Sequence, residues 1–159
     1  MATKIKRSLV QTFIDITPLT PSYSLIGDGV KSGKIAYNPK VLEEVHINDD
    51  SATVEVESYA PKFAVTATAK LGDAAFTYID GLRIARAVLD AAETDIVNVW
   101  MYKAGGPTAY PAEKQAVSIA IEDFGGDGGT AIQISYTINY IGDPIPGTFN
   151  ATTKAFTPS

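Results

Sequence analysis

A chain of 159 residues can bury one continuous core but is too short for most two-domain enzymes, so a single domain spanning 1–159 is expected. Apolar residues at 45% and charged residues at 19% place it among ordinary globular proteins, and the absence of cysteine excludes disulfides, thiolate metal sites and a cysteine nucleophile. The net charge of −5 is unevenly spread: residues 1–40 hold six basic and two acidic groups, leaving seven basic and sixteen acidic in 41–159, a balance that argues against gripping nucleic acid.

The first residues carry Lys4, Lys6 and Arg7, but the segment from Leu9 onward alternates apolar with polar and forms no h-region, so no signal peptide is read. No stretch approaches the apolar length of a membrane span, which implies a soluble protein. Leu9 to Thr17 and Val30 to Tyr37 have the composition of strands. Residues 38–50 lack periodicity and contain turn-formers, which marks a long loop, and loops of that length are commonly functional. Ser51 to Tyr59 then sets Ala52, Val54 and Val56 against Thr53, Glu55 and Glu57, the pattern of a half-buried strand with a charged solvent face, broken by Pro61. Phe63 to Lys70 continues in the same period.

From about Asp73 to Ala92 the period changes. Tyr78, Leu82, Ala85, Leu89 and Ala92 fall at helical spacing, with Asp80, Arg83 and Asp90 opposite, Asp73 as a possible N-cap and Arg86 able to pair with Asp90 one turn on. Ile96 to Tyr102 is apolar on both faces and reads as a central strand. Ala116 to Glu122 points Val117, Ile119 and Ile121 one way. Thr130 to Ile141 aligns Ile132, Ile134, Tyr136, Ile138 and Tyr140, and the glycine run 125–129 between these two suits a hairpin turn. Residues 145–159 form an aperiodic C-terminal arm. The expected class is mainly β: an antiparallel sandwich or barrel flanked by one α-helix over about 73–92.

The chemical motifs resolve into bland features. Gly27 to Lys34 has the composition of a phosphate-binding loop, but the glycine spacing fails, Ile35 stands where a hydroxyl is needed, and a strand rather than a helix comes next. Asp123-Phe124-Gly125 matches a kinase tripeptide without the catalytic loop, and Asp123 with Asp127 offers too few oxygens for a calcium loop. His46 is the only histidine, so no histidine metal cluster is possible. Glu43-Glu44 and Asp49-Asp50 read as solvated loop charge rather than an acid/base pair. Trp100, Tyr102 and Tyr110 could stack on a sugar or base, although a doubly apolar strand points Trp100 toward the core or a subunit interface. No catalytic residue, cofactor or metal is expected.

Several strings, in one order, resemble the tail tube proteins of long-tailed phages and related prophage or tail-like particles. They are Leu25 to Val30, Asn38-Pro39, Ser58 to Pro61, Gly72-Asp73, Tyr78 to Arg83, Ala109 to Glu113, Asp123 to Asp127, Ile134 to Tyr136 and Gly142 to Pro144. The resemblance implies a structural virion protein of the tail, held in the host cytoplasm before assembly. Six copies would close a ring, and rings would stack into a hollow tube through which DNA passes without specific binding. Tape measure, tail tip and terminator proteins would be its partners. It further implies that the long loop bridges subunits, through Asn38, Pro39, Glu43, Glu44, His46 and Asp49, and that the C-terminal arm, with Pro146, Phe149 and Phe156, adds contacts between rings. Thr53, Glu55 and Glu57 are the candidates to face the lumen, where acidic groups suit a wall that DNA slides past. The alternatives are a monomeric Ig-like binding or decoration module and a tail terminator.

Overall fold

The structure, a computed structural model, describes residues 2–17 and 20–159. Its strands are β1 (Val10–Asp15), β2 (Tyr23–Ile26), β3 (Ile35–Ala36), β4 (Pro39–Glu44), β5 (Thr53–Tyr59) and β6 (Lys62–Thr68), followed by the helix α1 (Ala74–Ala85). After it come β7 (Glu93–Trp100), β8 (Tyr110–Gly125), β9 (Gln133–Asn150) and β10 (Ala155–Pro158). All strand pairs are antiparallel. One sheet runs in the order β2-β1-β7-β8-β9-β6-β3, with β10 added to β9, while β4 and β5 form a separate two-stranded sheet.

The main sheet curls on itself, which is how a single hydrogen-bonded sheet makes a sandwich-like, barrel-like body. Ile14 of β1 and Ile96 of β7 share one core with Val65 of β6, Ile134 and Ile138 of β9 and Ile79 of α1. Partly buried Ile26 of β2 and Ile35 of β3, from opposite ends of the strand order, close on the same cluster. The alternate residues of β1 and β7, Phe13, Val97 and Val99, enter a second cluster with Tyr23, Ala112 and Phe149. Strand β7 is therefore buried on both faces, in line with its doubly apolar sequence, and lies between β1 and β8. Its fully buried polar side chain, Asn98, accepts from Thr12 Oγ1 at 2.8 Å and donates to the Tyr140 hydroxyl at 3.2 Å. Among the described residues no buried side-chain polar atom lacks a partner.

The helix starts where expected, with the Asp73 carboxylate accepting from the Ala75 amide at 3.1 Å. It ends earlier: Arg86 takes a left-handed conformation as C-cap, and Leu89 to Ala92 form a separate 3-10 turn. Ala75 and Ile79 carry the buried stripe while Leu89 is exposed, and Arg83 pairs with Asp80 at 2.8 Å instead of Arg86 with Asp90.

Three further expectations are corrected. Within Val30 to Tyr37 only Ile35–Ala36 pairs as a strand, because the glycine-punctuated segment before it wraps the end of β6. Gly29 has φ of +80° and lies so near β6 that a Cβ there would sit 2.9 Å from the Thr68 carbonyl oxygen. The supposed loop over 38–50 contains a strand, β4, paired with β5. The supposed arm over 145–159 is no arm: β9 continues to Asn150, and β10 folds back on it with Phe156 opposite Phe149. A bulge admits Gly142 to Pro144 into the strand: Gln115 alone faces them and donates to the Gly142 carbonyl at 2.7 Å.

Candidate functional site

The β4–β5 hairpin is the part of the chain that its own fold leaves without cover. Every residue of both strands is exposed. The register sets Val41 opposite Val56 and Glu43 opposite Val54, so these four share a face; Leu42 with Glu55 and Glu44 with Thr53 share the other. Alternation in Ser51 to Tyr59 is thus real, yet the half-buried strand expected there is not found: Val54 and Val56 are 60% and 54% exposed, because no core lies beneath them. Thr53 and Glu55 lie on the face of Leu42 and Glu44, and Glu57, the unpaired residue of a bulge opposite Lys40 and Val41, meets Lys40 at 3.3 Å.

At the turn, His46 stands between Glu44 at 3.4 Å and Asp49 at 3.5 Å, with Val45 and Ile47 exposed beside it. Among the described residues no group of three or more histidine and acidic side chains is placed to hold a metal. The root of the hairpin is fixed by Asn38, which adopts φ of +45° and donates its amide to the Ala36 and Ala60 carbonyls at 3.3 and 3.1 Å. Pro39 comes next, opposite Tyr59. Asparagine tolerates that conformation better than most residues, which explains the Asn-Pro pair at this point.

Beside the root lies a cleft of about 1050 Å³. Tyr37, Tyr59, Trp100, Tyr102 and Tyr140 line it, with Glu57, Glu113 and Asp143 supplying negative charge. Tyr37 and Tyr59 meet edge to face at 6.4 Å. Burial pushes the Tyr140 hydroxyl up to about 12, and burial also raises the Glu113 carboxyl, against the pull of the Asn98 hydrogen bond and Lys103. Trp100 is partly buried here, at the cleft wall, and Tyr102 is exposed. Sequence reasoning singled out Trp100 of β7 and Tyr102 after it, together with Tyr110, which packs on the second core cluster instead, and missed the cleft, since Tyr37, Tyr59 and Tyr140 reach it from three distant segments.

The candidate arm residues divide. Phe149 is fully buried against Phe13 at 4.5 Å and Tyr23 at 6.2 Å, Phe156 packs on the same cluster, and Pro146 is exposed on β9. The two phenylalanines are core residues of this copy.

No family model and no curated protein matches this chain in sequence. Its fold does match solved structures. The tail of an empty GTA particle, refined with C6 symmetry, superposes with a TM-score of 0.65 at 11% identity, over 97% of this chain and 99% of the other. The SPP1 tail tube superposes with a TM-score of 0.67 at 17% identity, over 90% of this chain and 78% of the other. The chain has the tail-tube fold.

Proposed function

We propose that this chain, which carries the tail-tube fold, is the structural subunit of a phage or phage-like tail tube. Six copies would close a ring, and stacked rings would make the hollow conduit through which DNA leaves. The observation that carries this reading is the agreement, over nearly the full length of both chains, with a subunit of a sixfold tail. A second feature supports it: a hairpin with Val41, Val54 and Val56 in solvent has no reason to persist in a monomer and good reason to do so in an assembly. On this reading the hairpin, with Asn38, Pro39, Glu43, Glu44, His46 and Asp49, bridges subunits, and Thr53, Glu55 and Glu57 turn their carboxylates and hydroxyl to the lumen. The protein would act without catalysis, as a virion component alongside tape measure, tail tip and terminator proteins, after synthesis in the host cytoplasm.

Negative-stain electron microscopy of the purified chain, fresh and concentrated, tests this directly. Rings or striated hollow tubes are the expected result. Monomers that persist even with a tail-tip initiator present would overturn it.

A further inference from the structure

The tip of the hairpin and a groove on the main body are complementary in charge and apolarity, and in this copy they do not meet. Between Val41 and Pro61 the chain carries six carboxylates, Glu43, Glu44, Asp49, Asp50, Glu55 and Glu57, and no lysine or arginine. At the tip, Ile47 is wholly exposed and Val45 is 61% exposed. The groove lies where the curled sheet brings the β1–β2 edge near β6. Arg7, Leu25, Val30, Lys31, Gly33 and Phe63 line it, and its volume of about 380 Å³ falls within the roughly 300–1,000 Å³ of ligand pockets. Its floor is apolar and its rim basic. Lys34 stands one residue after Gly33, and among the described residues no carboxylate pairs with Arg7, Lys31 or Lys34.

We propose that the hairpin tip, Val45 to Asp50, seats in this groove on a neighbouring copy of the chain, Ile47 over Leu25 and the acidic residues against Arg7, Lys31 and Lys34. The inference rests on the tube reading and adds the receiving surface to it. A second copy is the occupant because the chain's own tip stands fully in solvent while its own groove is open. Six residues of strand carry the tip about 20 Å beyond the root, far enough to reach an adjacent subunit. The larger aromatic cleft is the poorer seat: its three carboxylates, Glu57, Glu113 and Asp143, outnumber its one cation, Lys103, and so disfavour the tip's carboxylates. Opposed charges around an apolar contact also set register, which stacked copies of one chain require.

Because the chain contains no cysteine, Leu25→Cys and Ile47→Cys together introduce its only thiols, both at exposed positions. Oxidation of the assembled double variant is expected to move most of the chain into covalent multimers longer than dimers, with each single variant giving dimers at most. Tubes that form without multimers above the single-variant background overturn the seat and leave the tube reading standing, and a bridge closed within one chain also overturns it. Should the double variant fail to assemble, charge exchange decides. Lys31→Glu/Lys34→Glu and Asp49→Lys/Asp50→Lys are each expected to raise the concentration needed for assembly on the order of tenfold or more, as for a loss of one strong contact, and their combination in one chain to restore it. A folded combined variant that stays as defective as its parents overturns the proposal. Wild-type chain that never assembles overturns the tube reading and the seat with it.

Discussion

Phe149 shows what a single side chain does here. It is fully buried between Phe13 and Tyr23, so Phe149→Ala is expected to cost about 3–5 kcal/mol, read as a lowered urea midpoint with unchanged slope. A loss below about 1 kcal/mol would return the residue to an outward role. Sequence reasoning could not place it, because Gly142, Pro144 and Pro146 just upstream imitate the end of a strand. What admits Gly142 and Pro144 is the bulge opposite Gln115, a feature of pairing that no local pattern announces, while Pro146 sits in register opposite Glu113. Glu113 gives a pH dependence. Burial raises its pKa above the ordinary 4.5, so the folded chain holds that proton more tightly than the unfolded chain does. Its contribution is then fully favourable below the unfolded value and is lost as pH climbs through the folded one. Glu113→Gln, which keeps an acceptor for Asn98, should therefore be more stable than wild type at pH 7, with the gap closing by pH 4. Urea titrations at the two values measure this, and a variant less stable at pH 7 would mean that the attraction of Lys103 outweighs burial.

At the level of elements, the tube reading predicts that changes in the hairpin separate stability from assembly. Replacing Val54 and Val56 by Thr keeps β-propensity and touches no core, so the unfolding midpoint should stay within about 0.5 kcal/mol of wild type per site. Tube formation, followed by light scattering, should nonetheless fall sharply, and undiminished assembly would remove the apolar face from the interface. The main strands were readable because their alternation reports a buried face: Val65 and Ala67 in β6, Val117 and Ile119 in β8, and Ile134, Tyr136 and Ile138 in β9 all enter one core. The same alternation in β5 was legible as a strand and misleading as burial, since period two records which residues share a face and says nothing about what covers it. In β4 the pattern was obscured by the adjacent Val41 and Leu42 and the adjacent Glu43 and Glu44, which put like residues on both faces. Residues 38–50, expected as a loop, thus contain a strand whose pattern is hard to see in the sequence.

For the whole molecule, the proposed tube gives the separation of charge along the chain a testable consequence. If the acidic face of β5 lines the conduit, Glu55→Lys/Glu57→Lys should leave tubes intact and slow DNA release, because fixed cations would hold the phosphates that carboxylates repel. Ejection rates measured on assembled particles test this, and an unchanged rate would remove both residues from the lumen. Fold class and element order were recoverable from the residues, whereas the curl of one sheet into a closed body was not, because it depends on β2 and β3, short edge strands whose sequences carry almost no periodic signal. The two longest strands hold the two core clusters together: β8 and β9 stay in register from Tyr110 opposite Phe149 to Gly125 opposite Gln133, interrupted only by two shifts. At about 3.3 Å per residue this ribbon is on the order of 50 Å long. A pull applied along it loads its rungs together in shear instead of opening them one after another. The chain is accordingly stiff along one direction, while the hairpin that stands off this ribbon shares none of its rungs, the mechanical anisotropy of a leaf spring with a tab at its side.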